Sequence, residues 1–167
     1  MRTIPALAAM VLAALFQRGA GTTLVAAHYK GGIIVGADSR SSRGSFVASR
    51  HATKVTPVAR HVVVARSGSA ADTQRLAEHV AAALRMAEMS DYLSGGGGGG
   101  YAASVRSAAH VLSRAAYAGK GHLSAALLCA GWDPLDGMQL FSCPPGGALL
   151  PSGSFAIAGS GAPSVLG

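Results

Sequence analysis

Four side chains in the first half of the chain are of the right types to make and aim a nucleophile: Thr22, Asp38, Lys54 and Arg66. A threonine hydroxyl is weak alone and needs a base beside it. If the chain is cut after Gly21, the freed α-amine sits on the same residue as the hydroxyl. With an ordinary pKa of about 7.7–8.0, that amine can serve as the base. Gly21 also offers little hindrance at the point of attack. A cation beside Thr22 would lower the pKa of its hydroxyl, Lys54 is the nearest candidate, and Asp38 would hold the lysine. Arg66 could pair bidentately with a substrate carboxylate, which gives direction as well as charge. Plainer readings stand beside these. Threonine commonly starts a strand, lone lysines and aspartates are usually solvated, and a strand-end arginine often lies on the surface.

The elements needed to position these residues can be read from the pattern. Thr23 to Lys30 is β-branched and apolar, Gly31-Gly32 makes a turn, and Ile33 to Ala37 returns as a second strand. Folding that hairpin places Thr22 opposite Asp38 to Arg40. The polar segment 39–54 holds another short hairpin, and His61 to Arg66 reads as a buried strand. Ser69, with Asp72 three residues on, opens a helix over about 69–89, with Leu76, Val80, Ala83 and Ala87 at helical spacing. Ser94 to Gly100 is a glycine-rich loop. A second helix over about 101–118 puts Val105, Ala109, Leu112 and Ala116 on one face. "LSAALLCAGW" and "GMQLFSC" form an antiparallel pair turned by "DPLDG", and "SFAIAG" is a last short strand before Gly159-Ser160-Gly161. Strands, two helices and strands again predict helices packed on a β-layered core.

The bulk composition is compatible with that plan. The chain has 167 residues, half of them hydrophobic and 13% charged, which suits one domain with a buried core. Low aromatic content and 23 glycines fit either a turn-rich β domain or a biased genome. The formal charge is +7, and seven basic residues between Lys30 and Arg66 face one acid, Asp38. That segment is either a cleft for an anionic partner or a solvated face. Nucleic acid is disfavoured, since no aromatics interleave with the basic residues and no nucleic-acid module is recognisable. Cys129 and Cys143 read as buried reduced thiols, because a metal site needs more ligands at closer spacing. Arg2 followed by "IPALAAMVLAALF" is too short to span a bilayer. It suits a secretory signal or a self-removed propeptide, and the leader alone leaves both open.

The segments "GTTLVAAHYKGGIIVGADSR", "HATKVTPV", "RSGSAADTQ", "AGWDP" and "SFAIAGSG" resemble, in order and spacing, the β-type subunits of the proteasome core particle. They are most similar to the subunit that cuts after acidic residues (caspase-like activity). The resemblance runs from about Gly21 to Gly161. It implies an α+β N-terminal-nucleophile hydrolase fold, a four-layer αββα sandwich. It also implies a propeptide over residues 1–21, removed by autolysis after Gly21, and a catalytic domain from residue 22. By the same resemblance Thr22 is the nucleophile, Asp38 and Lys54 are its acid and lysine, and the Gly68 N–H serves the oxyanion. Ser160 hydrogen-bonds near the terminal amine. Arg66 lines the specificity pocket with Ser41, Ala52 and Ala70, and Ser42 binds substrate backbone. No metal or cofactor is implied. The implied partners are other α- and β-type subunits in stacked seven-membered rings and unfolded polypeptide substrates, without nucleic acid or membrane. The implied compartments are cytoplasm and nucleus.

The sequence also departs from this pattern. Family members continue past "GSG" through further helices and strands, with an aspartate and a serine that support the nucleophile. Here Ala162-Pro163 follow, and the chain ends at Gly167. The expectation is a partial domain over 22–167, a fragment of a full subunit in preference to a degenerate copy, with an inactive, truncated structural or assembly subunit as the alternative.

Overall fold

The computed structural model describes residues 21–43, 46–95 and 103–166. The apolar leader and the glycine run from residue 96 onward lie outside the described residues. The chain forms three layers: two long helices, a five-stranded antiparallel sheet and a three-stranded antiparallel sheet. This is the mixed α+β sandwich that the sequence predicts.

The N-terminal hairpin forms as expected. Strand β1 (Leu24–Tyr29) pairs with β2 (Gly32–Ala37) in a register that sets Leu24 opposite Ala37 and Tyr29 opposite Gly32. The polar segment contains the short hairpin of β3 (Ser41–Arg43) and β4 (Phe46–Ser49). The five-stranded sheet runs β5 (Val55–Ala59), β6 (Val62–Gly68), β7 (Ala125–Asp133), β8 (Gly137–Cys143) and β9 (Leu150–Pro151). Strand β10 (Phe155–Ala158) crosses to the other sheet and pairs with β1.

Strands β6 and β7 are apolar on both faces because both faces are covered. Val62, Val64, Leu127 and Cys129 point toward the helices, whereas Ala65, Leu128 and Ala130 pack against Leu24, Ala26 and Ala156 of the three-stranded sheet. The central sheet is therefore the shared wall of two cores. The outward face of the three-stranded sheet carries exposed Tyr29, Ile34 and Phe155.

Helix α1 (Ala70–Leu93) is longer than the predicted 69–89 and is seated on Thr73, Leu76, Ala77, Val80 and Leu84. Ala83 and Ala87 are only half-buried, so the buried stripe runs one residue away from the expected one. Ser69 precedes the helix, but its side chain makes no cap hydrogen bond. Its carbonyl instead accepts from the Thr73 hydroxyl at 2.8 Å. Helix α2 (Val105–Ala118) starts later than predicted, at a Ser104 cap whose hydroxyl accepts from the Ser107 N–H at 3.1 Å. Its predicted face, Val105, Ala109, Leu112 and Ala116, is buried. Complete burial of a residue such as Leu112 is worth about 1.5–3 kcal/mol. A five-residue helix, α3 (Ala162–Leu166), follows the last strand. No described helix is long and apolar enough to cross a membrane.

Both cysteines are free and buried on the helix-facing side of the central sheet. Burial pushes the Cys129 thiol up to about 12, helped by the neighbouring Cys143, and the Cys143 thiol up to about 11.

Candidate active site

The hairpin register determines which groups meet. Because β1 and β2 pair to their ends, the Asp38 N–H donates to the Thr23 carbonyl at 3.2 Å, placing an acid beside the start of β1. Asp38 Oδ1 accepts from the Thr23 N–H at 2.8 Å, and Oδ2 accepts from the Arg40 N–H at 3.1 Å. Lys54 enters from the segment leading into β5. Its Nζ donates to Thr22 Oγ1 at 2.8 Å and to the two Asp38 oxygens at 3.1 and 3.0 Å. Thr22 itself is buried.

Burial alone would raise the Asp38 pKa. The Thr23 N–H, the Lys54 ammonium and the Arg40 N–H outweigh that effect and hold the carboxyl below its usual range. Asp38 is thus a fixed anion that anchors the lysine. The lysine can in turn stabilise negative charge developing on the threonine oxygen.

The far end of the sequence completes this seat. The Thr22 backbone N–H donates to Ser160 Oγ at 3.1 Å, and the Gly161 N–H donates to the Thr22 carbonyl at 3.1 Å. Strand β10 delivers both through its pairing with β1. Gly159 sits at φ +94°, and a Cβ there would collide with the Thr22 carbonyl, so the close approach requires glycine. In this uncut chain the Thr22 nitrogen is a peptide amide. It marks the position an α-amine would occupy after cleavage at Gly21.

Thr22, Lys54, Arg66 and Gly68 line one cleft of about 810 Å³. Ser41, Ser42, Ala52 and Ala70 line it too, so the predicted substrate-contacting positions are gathered in one place. Asp38 and Ser160 lie behind Lys54 and Thr22 as their partners, and Gly21 is exposed just ahead of Thr22. Gly68 ends β6 at φ +120°, and a Cβ there would strike the Ser124 carbonyl. Arg66 is tied to the same wall. Its backbone N–H donates to the Lys54 carbonyl at 2.8 Å, and its Nη2 donates to the Thr53 carbonyl at 2.8 Å. Burial makes its guanidinium less basic than usual, against the opposing charge of Glu78.

The basic run from Lys30 to Arg66 is not one patch. Arg40, Lys54 and Arg66 line this cleft, whereas Lys30 and Arg60 border a separate cavity of about 520 Å³ with Trp132. Sequence reasoning missed the α1 side of the main cleft, where Gln74 and Glu78 line it. The available signal was their four-residue spacing on a helix that starts beside Gly68.

Helices on stacked antiparallel sheets, with a threonine at the start of an inner strand and a lysine on its hydroxyl, form an N-terminal-nucleophile hydrolase sandwich. The family model described as "Proteasome subunit" matches residues 19–167, and the chain belongs to the proteasome subunit family. It is 36% identical to "Proteasome subunit beta type-6" of Dictyostelium discoideum, a match covering 88% of this chain and 64% of that protein. It is likewise 36% identical to "Proteasome subunit beta type-6" of Arabidopsis thaliana, covering 88% of this chain and 59% of the relative. Against "Proteasome subunit beta type-1" of Saccharomyces cerevisiae it is 37% identical over 88% of this chain and 64% of the relative. The chain spans about three-fifths of the length of these curated relatives.

Proposed function

We propose that this chain acts as a threonine endopeptidase subunit of the proteasome core, cleaving after acidic residues in ubiquitin-dependent protein degradation. The observation that carries the reading is Lys54 Nζ bridging Thr22 Oγ1 and the Asp38 carboxylate within 2.8–3.1 Å. Hydrolysis of the Gly21–Thr22 bond removes the propeptide and frees the Thr22 amine next to Ser160 Oγ. The amine takes the hydroxyl proton as Oγ1 attacks the substrate carbonyl. The Gly68 N–H stabilises the oxyanion. The peptide C–N bond then breaks, and the amine returns the proton to the leaving peptide. Water, deprotonated by the same amine, hydrolyses the ester and regenerates Thr22.

Selectivity follows from Arg66, whose guanidinium can take a carboxylate where Ser41, Ala52 and Ala70 leave room, while Ser42 binds substrate backbone. The partners are other α- and β-type subunits in stacked seven-membered rings, with unfolded polypeptides as substrates. The compartments are cytoplasm and nucleus. Thr22→Ala tests the reading in the assembled particle. It should leave the propeptide attached and remove this subunit's cleavage after acidic residues. Persistence of that cleavage would refute the mechanism. A wild-type subunit that keeps residues 1–21 in the particle would instead mark an inactive structural or assembly role.

A further inference from the structure

The cleft that holds Arg66 also carries a negative charge. Glu78 lies on α1 one turn beyond Gln74, and both line the cleft with Arg66. Gln74 Nε2 donates to Glu78 Oε1 at 2.9 Å, an i,i+4 contact that orients the carboxylate along that wall. Glu78 is exposed and does not bond Arg66 directly; among the described residues the ion pairs are Lys54–Asp38 and Arg106–Asp136. Arg66 is only partly committed to the protein. Its Nη2 is held by the Thr53 carbonyl, and its Nε is buried without a hydrogen-bond partner. The field of one guanidinium is therefore shared between a fixed carboxylate and any anion that enters.

We propose that Glu78 sets the strength of the acid preference, by opposing the approach of a substrate carboxylate to Arg66 so that neutral side chains are also admitted. This rests on the acid-preferring reading given above. A charge at an exposed position acts through solvent, so its effect is modest and falls with salt. It acts on binding, because the distance from Glu78 to the substrate side chain does not change during bond breaking. Glu78 is thus a specificity-determining residue that takes no part in proton transfer.

The test is Glu78→Gln in the assembled particle, which keeps the side-chain shape and an oxygen to accept from Gln74. Kinetics are compared on two peptides that differ only in aspartate or leucine before the scissile bond. The KM for the aspartate peptide should fall about two- to fivefold at low salt, as loss of one exposed charge interaction permits. The kcat and the leucine peptide should be unaffected, and the difference should vanish at molar salt. Equal responses from both peptides, or no response, would overturn the inference while leaving the acid-preferring reading intact, provided that the wild type favours aspartate. A wild type that does not favour aspartate over leucine overturns that reading, and the role of Glu78 with it.

Discussion

Removing the Asp133 carboxylate should cost this fold about 3–6 kcal/mol, because four donors converge on one buried side chain. Asp133 is 3% exposed. Oδ2 accepts from the Val105 N–H at 3.0 Å and from Gln139 Nε2 at 2.7 Å, while Oδ1 accepts from the Leu135 and Asp136 N–H groups at 3.1 and 2.9 Å. It joins the β7–β8 turn to the first turn of α2. In Asp133→Ala the Val105 N–H is left buried and unpaired, at about 1–3 kcal/mol, and Gln139 adds roughly 1 kcal/mol. Water can reach the turn, where Leu135 and Asp136 are exposed, so those two bonds add only about 0.5–1 kcal/mol each. Asp133→Asn should cost less, about 1–2 kcal/mol, since one end of the amide must present N–H to N–H whichever way it turns. Gln139 Oε1, buried without a partner, can turn to accept from that amide.

Urea unfolding followed by Trp132 fluorescence and far-UV circular dichroism reads both variants, Trp132 being the chain's one tryptophan. The sign of the pH dependence follows from the carboxyl. Burial would raise its pKa, and the hydrogen bonds from Asp136, Val105, Leu135 and Gln139 hold it below the usual value. The stabilisation is complete above the unfolded value of about 3.9 and is lost as pH falls from there through the lower folded value. The wild type's advantage over Asp133→Ala should therefore shrink on acidification. A loss below about 1 kcal/mol at neutral pH, against the full penalty for a buried orphan donor, would refute this account.

Arg66→Leu should shift cleavage from acidic toward apolar residues, read as the ratio of kcat/KM on matched peptides; an unchanged ratio dismisses Arg66 as the selector. Lys54→Met removes the donor on Thr22 Oγ1 and the partner of Asp38, and should lower the single-turnover rate about a hundredfold or more. Gly68→Ala forces a Cβ onto the Ser124 carbonyl at positive φ, so it should reduce stability by at least about 1–3 kcal/mol in thermal unfolding and disturb the cleft wall.

The approach of Asp38 to Thr22 was legible because a two-strand hairpin is local and its register is set by Gly31-Gly32. That geometry puts Asp38 beside Thr22 without further information. Lys54 could only be suspected from the residues, since its approach depends on the Arg66 N–H bonding to the Lys54 carbonyl at the edge of the central sheet. Strand β5 was missed because it contains Pro57 and sits at that sheet's edge, where the strand pattern weakens. Two-residue β9 and five-residue α3 were too short to show a period. Asp133 looked like a turn residue, and its second role emerged only when α2 packed 28 positions upstream. The stripe on α1 drifted because Leu84, the larger side chain, displaced Ala83 from the core.

The contact between the Thr22 N–H and Ser160 Oγ spans 138 positions of chain. Neither Ser160 Oγ nor the Gly161 N–H that bonds the Thr22 carbonyl is in place until β10 has docked alongside β1. A nascent chain displays its threonine early but receives these two supports only after the 138 positions that separate it from Ser160 have been made. Under the proposed chemistry, maturation is therefore a report that β10 has docked on β1. A polypeptide that has not yet docked β10 would carry the bond to be cut without the Ser160 and Gly161 contacts that seat Thr22, and the proposed protease would stay dormant through the interval when its own unfolded neighbours would be the easiest prey.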